Sequence, residues 1–198
     1  MVDRLCYQSR GQNTAVGIFY CEAFNTEMDF EPRKNQSAAS ILGSLLRQMI
    51  SGMERIPEEV WGALQEQKKE ICGRKPQLAD VVKMLQLITS EQHVFMCIDA
   101  LDECGGAQRL KLLDSLNQIL NKSPRMRVFL SGRPHIRAEV EKRFAQQVVS
   151  VSISPTKGDI IRYLRARLDE DETPDAMDKS LEADILEKIP EKISETCV

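Results

Sequence analysis

The chain has 198 residues, which is enough for one domain with a substantial core and does not require two. Its content of 42% hydrophobic and 29% charged residues is typical of a folded globular protein. The 27 basic and 30 acidic residues nearly cancel, and the net charge of −3 creates no overall field that would attract nucleic acid or an anionic membrane. We therefore expect any phosphate binding to be local, with no nucleic-acid or membrane partner.

No stretch approaches the roughly 18 consecutive apolar residues of a membrane span. The opening MVDRLCYQSR lacks the apolar segment of a signal peptide, so we expect a cytoplasmic protein. The six cysteines form no C-x-x-C pair, and two histidines are too few for a zinc pattern, so we expect free thiols. A hydrolase that uses Cys97 or Cys104 with a histidine is disfavoured, because His93 lies at the opposite end of an apolar strand from Cys104.

The first half of the chain predicts one strand and three helices. Residues 15–24, AVGIFYCEAF, are rich in β-branched and aromatic residues and predict a buried strand. Apolar residues then recur with a 3.6-residue period from Ser37, a suitable N-cap, to Gly52, a suitable helix end. Pro57 opens a second helix with a narrower apolar face, and residues 78–88 predict a third.

The second half alternates strands and helices. Its predicted strands are residues 94–98, 126–130 and 148–153, and its predicted helices are residues 107–120, 155–168 and 178–189. Charged residues and proline replace the apolar period at residues 169–175, the best candidate for a joint. The alternation predicts an α/β fold, and continuous apolar strands predict a parallel sheet in three layers, with helices on both faces. In such folds, ligands bind at the carboxyl ends of the strands.

Three carboxylates directly follow one of these strands. The segment HVFMCIDALDEC contains Asp99, Asp102 and Glu103 within five positions. An aspartate at the edge of a buried sheet needs a cation or hydrogen-bond donors to offset its loss of water. Magnesium on a nucleotide would supply that cation, with Asp99 on the metal and with Asp102 and Glu103 orienting the attacking water. The alternative is that Asp102 caps the next helix, Glu103 favours its positive end and Asp99 lies in a solvated turn.

A guanidinium follows the next strand, in MRVFLSGRPHI. Since neighbouring parallel strands end at one edge of a sheet, Arg133 should lie near the three carboxylates that follow the first of these strands. There it could bind a γ-phosphate or form ion pairs with the carboxylates. The alternative is an ordinary turn in which Pro134 starts a helix and Arg133 is solvated.

Together, VFMCIDALDEC and SGRPHI resemble the NACHT branch of the signal-transduction (STAND) P-loop ATPases. The likeness is to the NLR-like form common in fungi, often labelled a nephrocystin-like N-terminal domain, and it extends along nearly the whole chain. It implies that Asp99 is the Walker B ligand of Mg²⁺, that Asp102 and Glu103 are the distal acids, and that Arg133 senses the γ-phosphate. Relatives usually have serine where this chain has Gly132, which removes one hydroxyl.

The 198 residues contain no G-x-x-x-x-G-K-[ST] run, the loop whose amides and lysine hold the phosphates in P-loop proteins. By the resemblance, the chain begins after that loop and after the first strand, which would leave residues 148–153 without their usual neighbour. We expect a partial NACHT core over residues 1–168, and over residues 169–198 an acidic joint with the start of a helical extension. Mg-ATP is the cofactor of the intact family, but we expect this chain to bind it weakly at best and not to hydrolyse it.

The resemblance implies a partial NACHT domain of a fungal signalling ATPase that acts in self/non-self recognition or defence. Relatives commonly carry an effector region before this domain and repeats after it. The alternative is a noncatalytic module that binds the NACHT domains of full-length relatives as a homo- or hetero-oligomer. The sequence leaves both functions open.

Overall fold

The computed structural model describes residues 13–22, 36–53, 56–69, 77–170 and 178–196. The chain divides into two compact units, residues 1–148 and residues 149–198. The strands of the first unit are β1 (Thr14–Tyr20), β2 (His93–Asp99) and β3 (Met126–Leu130). Its helices are α1 (Ala38–Ser51), α2 (Glu58–Lys69), α3 (Leu78–Glu91), α4 (Gly106–Leu120) and α5 (Arg137–Phe144). The second unit carries α6 (Lys157–Asp169) and α7 (Lys179–Thr196).

The three strands form one parallel sheet in the order β1-β2-β3. β1 pairs with β2 along its whole length, from Thr14 opposite His93 to Tyr20 opposite Asp99, and β3 pairs with β2 in the same direction. Parallel neighbours need crossover connections, which α1 to α3 supply between β1 and β2 and α4 supplies between β2 and β3. The predicted α/β class and parallel sheet are therefore confirmed.

One face of the sheet packs against a helical core. The apolar positions of the 3.6-residue stripes are buried there, including Ile41, Leu42, Leu45, Leu85, Ile88, Leu112, Leu113 and Leu116, all 0% exposed. Each such side chain contributes roughly 1.5–3 kcal/mol by leaving water. Gly17 allows α1 to approach β1 closely, because a Cβ at this position would lie 3.1 Å from Leu45 Cδ2 and 3.2 Å from Met49 Cε.

The opposite face of the sheet carries Val16, Ile18, Phe95 and Phe129, which are not part of this core. The rings of Phe95 and Phe129 lie with their centroids 6.2 Å apart. The sequence predicts helices on both faces, whereas the described residues of the first unit place their helical core on one face. The second helical layer therefore stays a prediction.

The helices begin where local hydrogen bonding permits. Ser37 is the N-cap of α1, as predicted, and its hydroxyl accepts from the Ser40 N–H at 3.1 Å. α6 begins after Thr156 rather than at Pro155, because Thr156 and Asp159 form a reciprocal capping box. The hydrogen bonds from the hydroxyl and the N–H of Thr156 hold the pKa of the Asp159 carboxyl below its usual value.

Residues 148–153 do not form the predicted fourth strand. A strand requires a neighbour that exchanges hydrogen bonds with it, and no described residue pairs with this segment as a strand. Its alternating apolar residues are exposed instead: Val149 is 90% exposed, Val151 is 76% exposed and Ile153 is 90% exposed. The prediction of a strand here was wrong, because an apolar run identifies a candidate strand without supplying its partner.

The C-terminal helix is longer than predicted. α7 passes through Pro190 and ends at Thr196, because a proline removes one helical hydrogen bond and bends a helix without always ending it. Most of the predicted joint at residues 169–175 lies outside the described residues, and the division between the two units falls earlier, after Val148. The predicted domain limits stay a prediction. None of the described helices combines the length and the apolar content that crossing a bilayer requires.

The two edges of the sheet differ. At the outer edge of β1, the side-chain amide of Gln48 accepts from the N–H of Ile18 at 2.9 Å and donates to its carbonyl at 2.8 Å, as a neighbouring strand would. Arg125 and Ser131, which flank β3, form backbone hydrogen bonds with residues of β2 and of the turn after it. Because backbone groups alternate in direction along a strand, the N–H and carbonyl of Val128 face away from β2. No described strand pairs with that outer edge.

Candidate functional site

The carboxyl ends of β2 and β3 meet at one edge of the sheet, where Ser131 joins them. The Ser131 hydroxyl donates to the Asp99 carboxylate and accepts from the N–H of Ala100 at 3.1 Å. The Ser131 carbonyl accepts from the N–H of Leu101 at 2.9 Å. These bonds fix Asp99 and the turn after it against the neighbouring strand. The prediction that the two strands lie side by side and end at a common edge is confirmed.

The backbone reverses immediately after Asp99. Ala100 has φ 53° and ψ 45°, a left-handed conformation that costs a residue with a Cβ about 1–2 kcal/mol. A 3₁₀ turn follows at Leu101–Glu103, and the fully buried Leu101 anchors it in the core. The reversal directs Asp102 and Glu103 back towards the end of β3.

Arg133 binds both of these acids. Its Nε lies 3.4 Å from Asp102 Oδ2, and its terminal nitrogen lies 3.0 Å from Glu103 Oε1. The backbone N–H of Arg133 also donates to Asp102 Oδ1 at 3.2 Å. The Asp102 side chain is only 5% exposed and that of Glu103 24%, whereas that of Arg133 is 70% exposed. A solvent-facing guanidinium therefore neutralises carboxylates that are largely withdrawn from water.

The structural alternative for Asp102 does not hold. The N-cap of α4 is Gly105, and the Asp102 carboxylate accepts from Arg133 rather than from the first amides of α4. The alternative for Arg133 was a solvated residue before a proline-initiated turn. Pro134 does begin a short 3₁₀ turn, but Arg133 is held by two carboxylates.

Asp99 is exposed at the same edge, and its carboxylate accepts a hydrogen bond from the Ser131 hydroxyl. Carboxylate oxygens suit Mg²⁺, which keeps several water ligands and takes others from phosphates. Across the part of the chain that the structure describes, no group of three or more His, Cys, Asp or Glu side chains is arranged to hold a metal by itself. Asp99 is a single exposed carboxylate at this edge, and a magnesium ion held there would take its remaining ligands from water or phosphate.

The position of Gly132 is tightly packed. A Cβ there would lie 2.6 Å from Ile136 Cδ1 and 3.2 Å from Asp102 Oδ1. The serine that the sequence resemblance leads us to expect here would thus need Ile136 to move. In this chain the Ile136 side chain occupies the space next to Gly132. Ser131 supplies the one hydroxyl of the SGRPHI segment.

The cysteines near the edge are protonated at neutral pH. Burial, with smaller contributions from Cys104, Asp102 and neighbouring acids, raises the pKa of the Cys21 thiol to about 12. Burial also raises the pKa of Cys104, although the Arg109 guanidinium opposes that shift. A thiol must ionise to act as a nucleophile, so the raised pKa values argue against cysteine chemistry at this edge.

The sequence reasoning missed three residues that build the edge. Ser131 was predicted only as the end of a strand and Arg109 only as part of a helix, and Glu139 lay outside the predicted strands and helices. Arg109 follows Glu103 by six positions, in the first turn of α4, from which a long side chain can reach back to the acidic turn. That spacing is a signal for the contact of Arg109 with the turn, and not for its contact with Glu139.

Residues 1–133 match the family described as "Nephrocystin 3, N-terminal". A search of curated proteins found no significant match. The matched segment covers 133 of the 198 residues and contains all three strands and the edge from Asp99 to Arg133. The nephrocystin-like part of the sequence resemblance is thereby confirmed, and the chain belongs to the nephrocystin 3 N-terminal family.

Proposed function

We propose that this chain forms part of the nucleotide-binding core of a NACHT-type (STAND) signal-transduction ATPase, which acts in the cytoplasm in self/non-self recognition or defence of the fungal type. The observation that carries the proposal is the meeting of Asp99, Asp102, Glu103 and Arg133 at the carboxyl edge of two parallel strands. This is where α/β folds bind ligands. The arrangement supplies an acid for a metal, two acids for a water molecule and a cation for a phosphate.

Each side chain has a role that its surroundings suit. Asp99 would hold Mg²⁺ through its exposed carboxylate, and the bound metal would neutralise charge on the phosphates. Asp102 and Glu103 would orient the attacking water, since the 3₁₀ turn fixes their backbone. Arg133 would bind the γ-phosphate. Because its guanidinium is engaged by both acids, a phosphate would have to compete with carboxylates for it.

The chain is not expected to turn over nucleotide by itself. Its 198 residues contain no G-x-x-x-x-G-K-[ST] run, and that loop supplies most of the phosphate positioning on which phosphoryl transfer depends. We therefore expect only weak binding of Mg-ATP and no measurable hydrolysis by this polypeptide.

The test is an NMR titration of the isotope-labelled chain with Mg-ATP to about 10 mM, a concentration suited to affinities near 1 mM. We expect shifts confined to residues 99–104 and 131–134 that disappear in Arg133→Ala and weaken in Asp99→Asn. Arg167→Ala, a change at an exposed arginine of the second unit, should leave them intact. Perturbations elsewhere, or none at this edge, would refute the nucleotide site, and calorimetric saturation at micromolar Mg-ATP would refute the expectation of weak binding.

A second candidate is a noncatalytic module that associates with NACHT domains of its own kind. It is favoured by the exposure of Val149, Val151 and Ile153, whose side chains alternate along the chain as the apolar residues of a strand would. Light scattering after size exclusion should then show concentration-dependent oligomers of the wild-type chain. The triple change of these residues to threonine should abolish them, whereas a wild-type chain that stays monomeric to about 100 μM would exclude self-association in the range typical of weak complexes.

A further inference from the structure

Arg109 connects the acidic turn to the segment that follows Arg133. It lies in the first turn of α4, and its side chain is only 14% exposed. One terminal nitrogen donates to the carbonyl of Cys104 at 2.8 Å and to the carbonyl of Asp102 at 3.3 Å. Its Nε and other terminal nitrogen donate to the carboxylate of Glu139 in α5, at 3.1 to 3.3 Å.

The planar guanidinium of Arg109 donates hydrogen bonds on two of its sides. One side binds backbone carbonyls of the turn that carries Asp102 and Glu103, and the other binds Glu139, two residues into α5. The carbonyls of a short turn have few partners within the turn itself, so an external donor determines where the turn lies. Lysine could not reproduce this arrangement, because its ammonium lacks the rigid fork of donors.

We propose that Arg109 is a positioning residue of the candidate nucleotide site. It holds the backbone of the acidic turn in place and couples that turn, through Glu139, to the helix after Arg133, so that Asp102 and Glu103 stay within reach of the Arg133 guanidinium. The inference rests on the proposed function, since the position of the turn has chemical meaning only if this edge binds nucleotide.

A second ion pair between the same two helices provides a matched control. Arg143 of α5 lies with its Nε 2.9 Å from Asp114 Oδ1 of α4, and its side chain is 20% exposed. It therefore resembles Arg109 in burial and in joining α4 to α5, but its recorded partner lies on the helix and not in the acidic turn. Arg143→Ala should weaken the contact between the helices without releasing the turn.

The buried thiol of Cys104 reports whether the turn opens, because its own carbonyl is one of the two that Arg109 holds and the residue is 1% exposed. Iodoacetamide labelling of the native chain, resolved by peptide mass spectrometry, gives the rates at Cys104 and at Cys97, which is buried in β2. Loss of Arg109 also removes a cation that lowers the pKa of Cys104. That change alone would slow labelling, so faster labelling must come from opening of the turn.

We expect Arg109→Ala to raise the ratio of the Cys104 rate to the Cys97 rate at least about tenfold, the effect of losing one hydrogen bond to a charged group. Arg109→Lys should give an intermediate ratio, and Arg143→Ala should leave the ratio within about twofold of the wild type, as for a surface change. The ¹⁵Nε resonance of Arg133 should move in Arg109→Ala and not in Arg143→Ala, since it reports the placement of Asp102.

An unchanged ratio in Arg109→Ala, or an equal increase in Arg143→Ala, would overturn the proposal. If Arg109→Ala does not fold, Arg109→Lys decides: a selective increase at Cys104 supports the inference, and a uniform increase at both cysteines overturns it. Labelling requires no nucleotide. Failure of the Mg-ATP titration would therefore count against the proposed function while leaving the measured coupling of Arg109 to the turn in place.

Discussion

The ion pairs of Arg133 permit a quantitative test, through the change Arg133→Ala. The mutation removes contacts of 3.4 Å to Asp102 and 3.0 Å to Glu103 and leaves the backbone bond to Asp102 intact. An exposed ion pair contributes about 0.2–1 kcal/mol, whereas loss of the cation beside a buried carboxylate can cost about 3–5 kcal/mol. Here the cation is 70% exposed and Asp102 5% exposed, so solvent screening reduces the larger figure.

We therefore expect Arg133→Ala to lower the free energy of unfolding by about 1–2 kcal/mol, which corresponds to about 2–8 °C in Tm for a chain of this size. Urea unfolding at 0.1 M and 1 M NaCl measures the effect, which should shrink at the higher salt concentration. The control is Arg167→Ala, whose partner Glu170 is as exposed as Arg167 itself, and which should cost no more than about 0.5 kcal/mol. Equal costs for the two variants, or a cost for Arg133→Ala that is unaffected by salt, would refute the account of a partly buried acid neutralised by an exposed cation.

Three further predictions concern the same edge and are measured by urea unfolding. Gly132→Ser should lower the free energy of unfolding by about 1–3 kcal/mol, because its side chain would contact Ile136. The cost of Gly132→Ser should be smaller in the double variant with Ile136→Ala, and additive costs would argue against the contact. Ala100→Gly should not lower stability, whereas Ala100→Val should cost more than about 1 kcal/mol because of the left-handed backbone; equal effects would contradict that conformation. Since the pKa of Cys21 is about 12, against an ordinary 9.0, the folded state keeps this proton longer than the unfolded one, and stability should fall as pH rises above about 9. Cys21→Ala should lose less stability between pH 9 and 10.5, and identical pH profiles would rule the shift out.

The sequence was sufficient to predict the strands and helices that depend mainly on the residues of their own segment. The apolar run of β2 and the 3.6-residue period of α1 identify these elements because each buries most of its own apolar residues, and the short apolar run of β3 identifies a strand of which Met126 is buried. The common edge followed from parallel pairing. The strand predicted at residues 148–153 does not form, since strand formation also depends on a partner strand elsewhere in the chain.

Within the site, the sequence identified the charged residues and not the bonds between them. It left open whether Arg133 faces phosphate or acid, and the structure pairs it with Asp102 and Glu103. The role of Arg109 could not be derived from spacing alone, because its second partner, Glu139, lies 30 positions further along the chain. Contacts between side chains distant in sequence depend on the docking of α4 against α5, which no local pattern encodes.

The amide of Gln48 also has a consequence for assembly. Because it occupies the N–H and the carbonyl of Ile18 at the middle of the β1 edge, a further strand could not form an uninterrupted ladder of hydrogen bonds along that edge. One glutamine side chain thus protects the β1 edge of the described sheet against edge-to-edge pairing.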